Sequence, residues 1–107
     1  MYYQLEDYGQ AIDYFTKAIN MSDQNAYYFD HRARAKSEVM DFEGAVEDYT
    51  SSIDLYSKDP LIFYERGIVK VWMNNRYDAC RDFQKAKELG LEEAEEKIQE
   101  TCVFNDK

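Results

Sequence analysis

Four sets of side chains recur in this chain at a spacing of 34 residues. Ala11, Ala45 and Ala79 form one set, and Phe15, Tyr49 and Phe83 another. Ala18, Ser52 and Ala86 form the third, and Met21, Leu55 and Leu89 the fourth. A fixed period of this length is the signature of supersecondary units that bury their apolar faces only by stacking on one another. Within each unit a small residue is followed four places on by an aromatic and three places later by another small one. Those steps put all three on one helical face. The small residues let a neighbouring helix come close, and the aromatic fills the space between.

A second helical pattern precedes two of these units. Phe29 and Phe63 match at the same spacing, as do Arg32 and Arg66, Ala33 and Gly67, and Lys36 and Lys70. The small residue at its middle marks a close helix crossing. Short polar turns separate the paired helices: Asp7-Tyr8, Asp41-Phe42 and Asn75-Arg76-Tyr77. Asp and Asn accept hydrogen bonds from free amides at a helix start, so these are predicted N-caps. Gln10 and Asp78, three residues on, suit reciprocal capping. Asp59-Pro60 reads as a cap followed by proline in the first turn.

The resulting map has helices over 1–5 (a stub), 8–21, 26–39, 42–55, 60–73, 77–89 and 91–103. It describes one domain over 1–107, with a partial repeat at 1–25, full repeats at 26–59 and 60–90, and a capping helix at 91–103. Gly90 is expected to end the sixth helix and start a sharp reversal. The last helix carries Leu91, Ala94, Ile98 and Cys102 on one stripe and Glu92, Glu93, Glu95, Glu96 and Glu100 mostly elsewhere. A polar outer face is what a terminal repeat needs to stay soluble. Residues 104–107 are expected to fray. Composition agrees with helices: the chain has only 4 glycines and 1 proline, while 45% of it is hydrophobic.

This pattern resembles the tetratricopeptide repeat family. The resemblance is carried by residues 7–19 (from Asp7-Tyr8-Gly9-Gln10-Ala11 through Ala18-Ile19), by 41–49 (Asp41-Phe42-Glu43-Gly44-Ala45 to Tyr49), and by Arg66-Gly67 with Ala79-Cys80-Arg81-Asp82-Phe83 and Ala86. It covers the chain to about Cys102. It implies an all-α fold: an α-solenoid of antiparallel helix pairs, wound as a right-handed superhelix, with a C-terminal capping helix. The sequence departs from the family pattern where Arg76 replaces the usual turn aromatic, with Tyr77 one place later, and where Pro60 comes late. The first unit also keeps only Met1 to Leu5 of its first helix. Helix 8–21 is therefore expected to expose parts of Ile12, Phe15 and Ile19. Such a stripe marks a contact. Either the chain is a fragment of a larger scaffold of such repeats, or it is a self-associating segment, a homodimer paired through that first-repeat face.

The resemblance further implies a non-catalytic module that binds another protein or peptide along a concave face lined by the first helix of each unit. The positions expected there are Tyr27, Asp30, His31, Arg34 and Glu38 in one unit, and Leu61, Tyr64, Glu65, Ile68, Val71 and Trp72 in the next. The first set is polar and the second mostly apolar, which suits a peptide with an apolar anchor beside a charged residue. Val71 and Trp72 have a competing reading, packed beneath the last helix. Some relatives grip a terminal carboxylate with Lys, Asn and Arg side chains. Here the corresponding positions hold Asp30, His31 and Glu65, whose acidic members repel a carboxylate, and Arg34 alone is no clamp.

Charge and motifs narrow the remaining classes. A formal net charge of −9 opposes phosphate backbones and anionic membrane surfaces, so no nucleic-acid or membrane partner is expected and a basic or neutral segment fits better. The start of the chain has no basic region or apolar core of a signal peptide, which leans toward the cytoplasm. His31 is the only histidine and lacks a partner at catalytic spacing. Zinc-ligand spacing, phosphate loops and nucleophilic triads are absent from the sequence, so neither enzyme activity nor a cofactor is expected. Cys80 lies ten residues before Gly90 and Cys102 twelve after it. Helices folding back at Gly90 bring the two together, as neighbouring thiols or as a disulfide. The lack of a secretion signal favours free thiols acting as small hydrophobes.

Overall fold

A computed structural model describes residues 7–103, and these fold into six α-helices. They are α1 (Tyr8–Met21), α2 (Ala26–Glu38), α3 (Phe42–Leu55), α4 (Pro60–Trp72), α5 (Arg76–Glu88) and α6 (Ala94–Thr101). Helix ends agree with the sequence map to within a residue except at α6. The expected stub over 1–5 and the expected fraying of 104–107 lie outside the described residues. Among the described residues the fold is all-α, as the helical steps and the family resemblance imply.

The chain divides into two units, one ending at Ser57 and one beginning at Lys58. In the first, α2 packs on both α1 and α3; in the second, α5 packs on both α4 and α6. The 34-residue sets are the cores of these units. Ala45 and Ala79 are fully buried, as are Tyr49 and Phe83. Ser52 stands where Ala86 does, and its hydroxyl donates to the Ala26 carbonyl at 3.0 Å. A buried hydroxyl is tolerated only with such a partner. Gly67 shows why a small residue is needed at the crossing: a Cβ there would come within 2.7 Å of the Phe83 ring.

Caps set the helix starts. Asp41 accepts from the Gly44 amide at 3.1 Å, Asp59 from Leu61 at 3.0 Å, and Asn75 from Asp78 at 3.5 Å. Asn25 caps α2 in the same way through Tyr27 at 2.9 Å. Asp7 differs from expectation: its side chain makes no cap, so Gln10 has no reciprocal role there. Gly90, at φ +113, ends α5, and the Leu91 amide reaches back to the Ala86 carbonyl at 3.0 Å. The last helix begins at Ala94 rather than 91, because Leu91 and Glu92 accept short turn bonds from Ala94 and Glu95.

Two expectations are corrected. Phe15 and Ile19 are buried, at 9% and 8% exposure. Phe15 forms a cluster with Ala11 and with Ala35 of α2, against which Ile12 and Tyr28 also pack. The apolar side chains that α1 does expose are Tyr14 and Met21, so the fourth repeated set joins the core least well. The thiols favoured as free are instead one disulfide, Cys80–Cys102, with Cα atoms 5.1 Å apart. The reversal at Gly90 lays α6 along α5 and brings the pair into bonding reach.

Candidate functional site

The two units present their first helices, α2 and α4, differently. On α2, Tyr27 is 57% exposed and Glu38 is exposed, while Asp30, His31 and Arg34 are half-buried. The His31 ring lies 4.0 Å from Tyr27 and 5.6 Å from Phe15, stacked on the latter. That burial, and then the nearby charge of Arg34, holds the imidazole pKa below its usual 6.5. His31 is thus neutral at pH 7, a polar but uncharged member of the face. Arg34 pairs with Asp30 one turn earlier at 3.5 Å. An Arg answered by its own neighbour is poorly placed to clamp an incoming carboxylate.

On α4 the face is apolar. Leu61 is 48% exposed and Trp72 56%, with Val71 also exposed. Tyr64, Glu65 and Ile68 are half-buried between them. Steps of three and four keep Leu61, Tyr64, Glu65, Ile68 and Trp72 on one side of the helix. Tyr64 is held from behind by the Phe83 ring of α5, centroids 5.6 Å apart. Trp72 is not buried beneath the last helix, since more than half of its surface is exposed.

Sequence reasoning missed a feature that both units share. Arg32 Nε and Nη2 donate to the two oxygens of Asp48 at 2.7 and 2.9 Å. Lys36 Nζ sits 3.2 Å from the same carboxylate. Thirty-four residues on, Arg66 grips Asp82 with two bonds of 2.8 Å, and Lys70 joins at 3.2 Å. Each guanidinium also lies over an aromatic ring, Phe29 at 5.9 Å and Phe63 at 5.7 Å. Asp48 and Asp82 are each 4% exposed. Hydrogen bonding to Asp48 is the main reason the Arg32 pKa is raised. In the first unit Arg32 Nη1 also donates to Thr16 of α1 at 3.0 Å, so three helices meet on one side chain. The signal was present: Arg, Lys, Phe and Asp all recur at 34, and each Asp follows its Arg by sixteen.

Among the described residues no helix is long and apolar enough to cross a membrane.

This arrangement, helix hairpins with repeated cores and repeated buried ion pairs, defines an all-helical tandem-repeat domain. No protein-family model matches the chain. The chain is 34% identical over 94 residues to human DnaJ homolog subfamily C member 7, covering 88% of this chain and 19% of that protein. It is 32% identical over 88 residues to cattle tetratricopeptide repeat protein 36, covering 78% of this chain and 47% of that one. The second TPR domain of human RPAP3, solved in complex with the HSP70 peptide SGPTIEEVD, superposes with a TM-score of 0.83. That domain is 26% identical, over 90% of this chain and 82% of its own. With the 34-residue period, these likenesses identify the chain: it belongs to the tetratricopeptide repeat family. It spans about a fifth of the length of the DnaJ relatives it matches.

Proposed function

We propose that the chain is a non-catalytic interaction module that holds a peptide or a partner protein on the exposed faces of its first helices. The observation that carries this reading is the α4 face, where Leu61 and Trp72 stay 48% and 56% exposed around Ile68. Large apolar side chains left open in a row are characteristic of contact surfaces. The RPAP3 domain supports the class of ligand, since its own partner is a short peptide.

The chemistry of the bound segment differs from that peptide's acidic end. Asp30 and Glu65 put carboxylates on the α2 and α4 faces, His31 is neutral, and Arg34 is paired with Asp30. With a net charge of −9, the module favours a basic or neutral segment carrying an apolar anchor.

Trp72 is the only tryptophan, so its emission reports the α4 face directly. Titrating a panel of peptides that share one apolar anchor and differ in charge is expected to blue-shift that emission most for basic members and least for those ending in EEVD. Leu61→Ala with Ile68→Ala should weaken the shift roughly tenfold or more, as loss of central apolar anchors does. If no peptide moves the emission, or the double variant binds unchanged, the α4 face is not the site.

A further inference from the structure

The second unit holds an open cleft of about 520 Å³ whose lining is unusual for so acidic a chain. Its wall is the cluster already described, Arg66, Lys70 and Asp82, over the Phe63 ring. Its rim is Arg81 and Lys85 of α5, with Asp78. Four cations therefore face two carboxylates, a local excess of two positive charges (4 − 2) in a chain of net charge −9.

The first unit provides an internal control. Stepping back 34 residues, Arg32, Lys36 and Asp48 repeat the wall, but Glu47 and Ser51 stand where Arg81 and Lys85 do, and Gly44 where Asp78 does. The wall belongs to the fold, since both units have it. The basic rim belongs to the second unit alone and is not needed to build a helix pair.

Nor is the rim consumed by the fold. Arg81 makes no hydrogen bond or ion pair with the described residues. Lys85 has only Glu88 at 3.6 Å, both well exposed. Lys70 spends one contact on Asp82 and keeps further donors. Asp78, the carboxylate on the rim, accepts from the Asn75 side-chain amide at 3.2 Å. Arg81 and Lys85 lie one turn apart on α5, and Arg66 and Lys70 one turn apart on α4, so two cation pairs converge from two helices.

We propose that this cleft is an oxyanion site. It takes a phosphate group, with Arg81 and Lys85 as direct donors, Lys70 as a third, and the Arg66–Asp82 pair as a fixed wall. A guanidinium fork and two ammonium groups suit the tetrahedral oxygens of phosphate best. The group is either free inorganic phosphate or a phosphorylated residue of a protein partner. The site is separate from the α4 face carried by Leu61 and Trp72, so either can fail without the other.

The test is a titration of the full, oxidised chain by backbone-amide NMR with three probes: inorganic phosphate, a phosphoserine peptide, and the same peptide unphosphorylated. Saturable shifts over residues 78–85 are expected with the first two and not the third, weakening as salt rises. Arg81→Glu with Lys85→Ser, which copies the first unit's residues, should reduce affinity at least about tenfold with the helical content unchanged. The reverse graft, Glu47→Arg with Ser51→Lys, should add a second set of shifts over 44–51. Tighter binding of the phosphopeptide than of phosphate assigns a partner-borne group; equal binding assigns the free ion. Shifts that do not saturate, or that survive the double substitution in a folded chain, overturn the proposal.

Discussion

Arg32 and Asp48 meet through two parallel N–H···O bonds, sixteen residues apart in the chain and on facing helices of one hairpin. Arg66 and Asp82 repeat the contact one period later. Each pair is largely removed from water, with side-chain exposures of 17% and 5% in the first unit and 16% and 6% in the second. Desolvation offsets much of the attraction in such a pair, so its net contribution is small, but breaking it strands a charge.

Asp48→Ala should therefore destabilise the chain by about 3–5 kcal/mol, because Arg32 and Lys36 would be left facing each other with no carboxylate. Asp82→Ala should behave alike. Arg32→Met combined with Asp48→Leu should recover a large part of the loss. Urea unfolding followed by circular dichroism measures all four; an Asp48→Ala chain as stable as the parent would show that the pair does not matter to the fold.

The turns joining paired helices contain a second repeated feature. Met40 and Asn74, 34 residues apart, both have positive φ, 69° and 64°. Asparagine tolerates that conformation, while methionine pays about 1 kcal/mol or more in steric strain. Met40 is 73% exposed, so its side chain packs little. Met40→Gly should stabilise the chain by about 0.5–1 kcal/mol, and Asn74→Gly by less. Gly90→Ala, at φ +113, should do the opposite. Thermal melts that ranked the three in another order would contradict this assignment of strain.

Stability should also depend on pH through His31. Its pKa in the fold is lowered from 6.5 by burial and by Arg34. Well above pH 6.5 the ring is neutral in both folded and unfolded chains and contributes no slope. As pH falls below 6.5 the unfolded chain takes the proton first, so stability declines until the folded-state pKa is reached. With a single histidine, its ring resonances give the folded titration directly. A midpoint at or above 6.5, or an unchanged slope in His31→Gln between pH 6.5 and 5.5, would count against it.

The Cys80–Cys102 bridge closes a loop with a sequence separation of 22. A loop of that size corresponds to about 3 kcal/mol in the chain-entropy picture. Reduction should lower the melting temperature and loosen α6 from α5 before the rest unfolds, visible as faster amide exchange over 94–101. Thiol counting in denaturant without reductant should find none; two reactive thiols would mean that the bridge does not form in the chain as made.

Much of the architecture was legible because its causes are local or strictly periodic. Small and aromatic residues at helical steps define a face wherever they occur, and Asp41, Asp59 and Asn75 cap the helices that follow them. The partly exposed apolar side of α4 was legible for the same reason, since Leu61, Tyr64, Ile68 and Trp72 share a side through helical geometry alone. What a neighbour does to each side chain was not. Phe15 is covered because α2 crosses it, and Trp72 stays more than half exposed at the end of α4.

The sequence by itself determined the helices, their pairing into hairpins and the residues at their crossings, because a period of 34 repeats one solution to burying an apolar stripe. Only the tertiary structure decided that Asp48 answers Arg32, that Cys80 and Cys102 are bonded rather than neighbouring thiols, and that Arg81 and Lys85 line one cleft with the second pair. Those outcomes depend on distances across a hairpin, and charge and sulfur chemistry act over a few ångströms of space however far apart the residues lie along the chain.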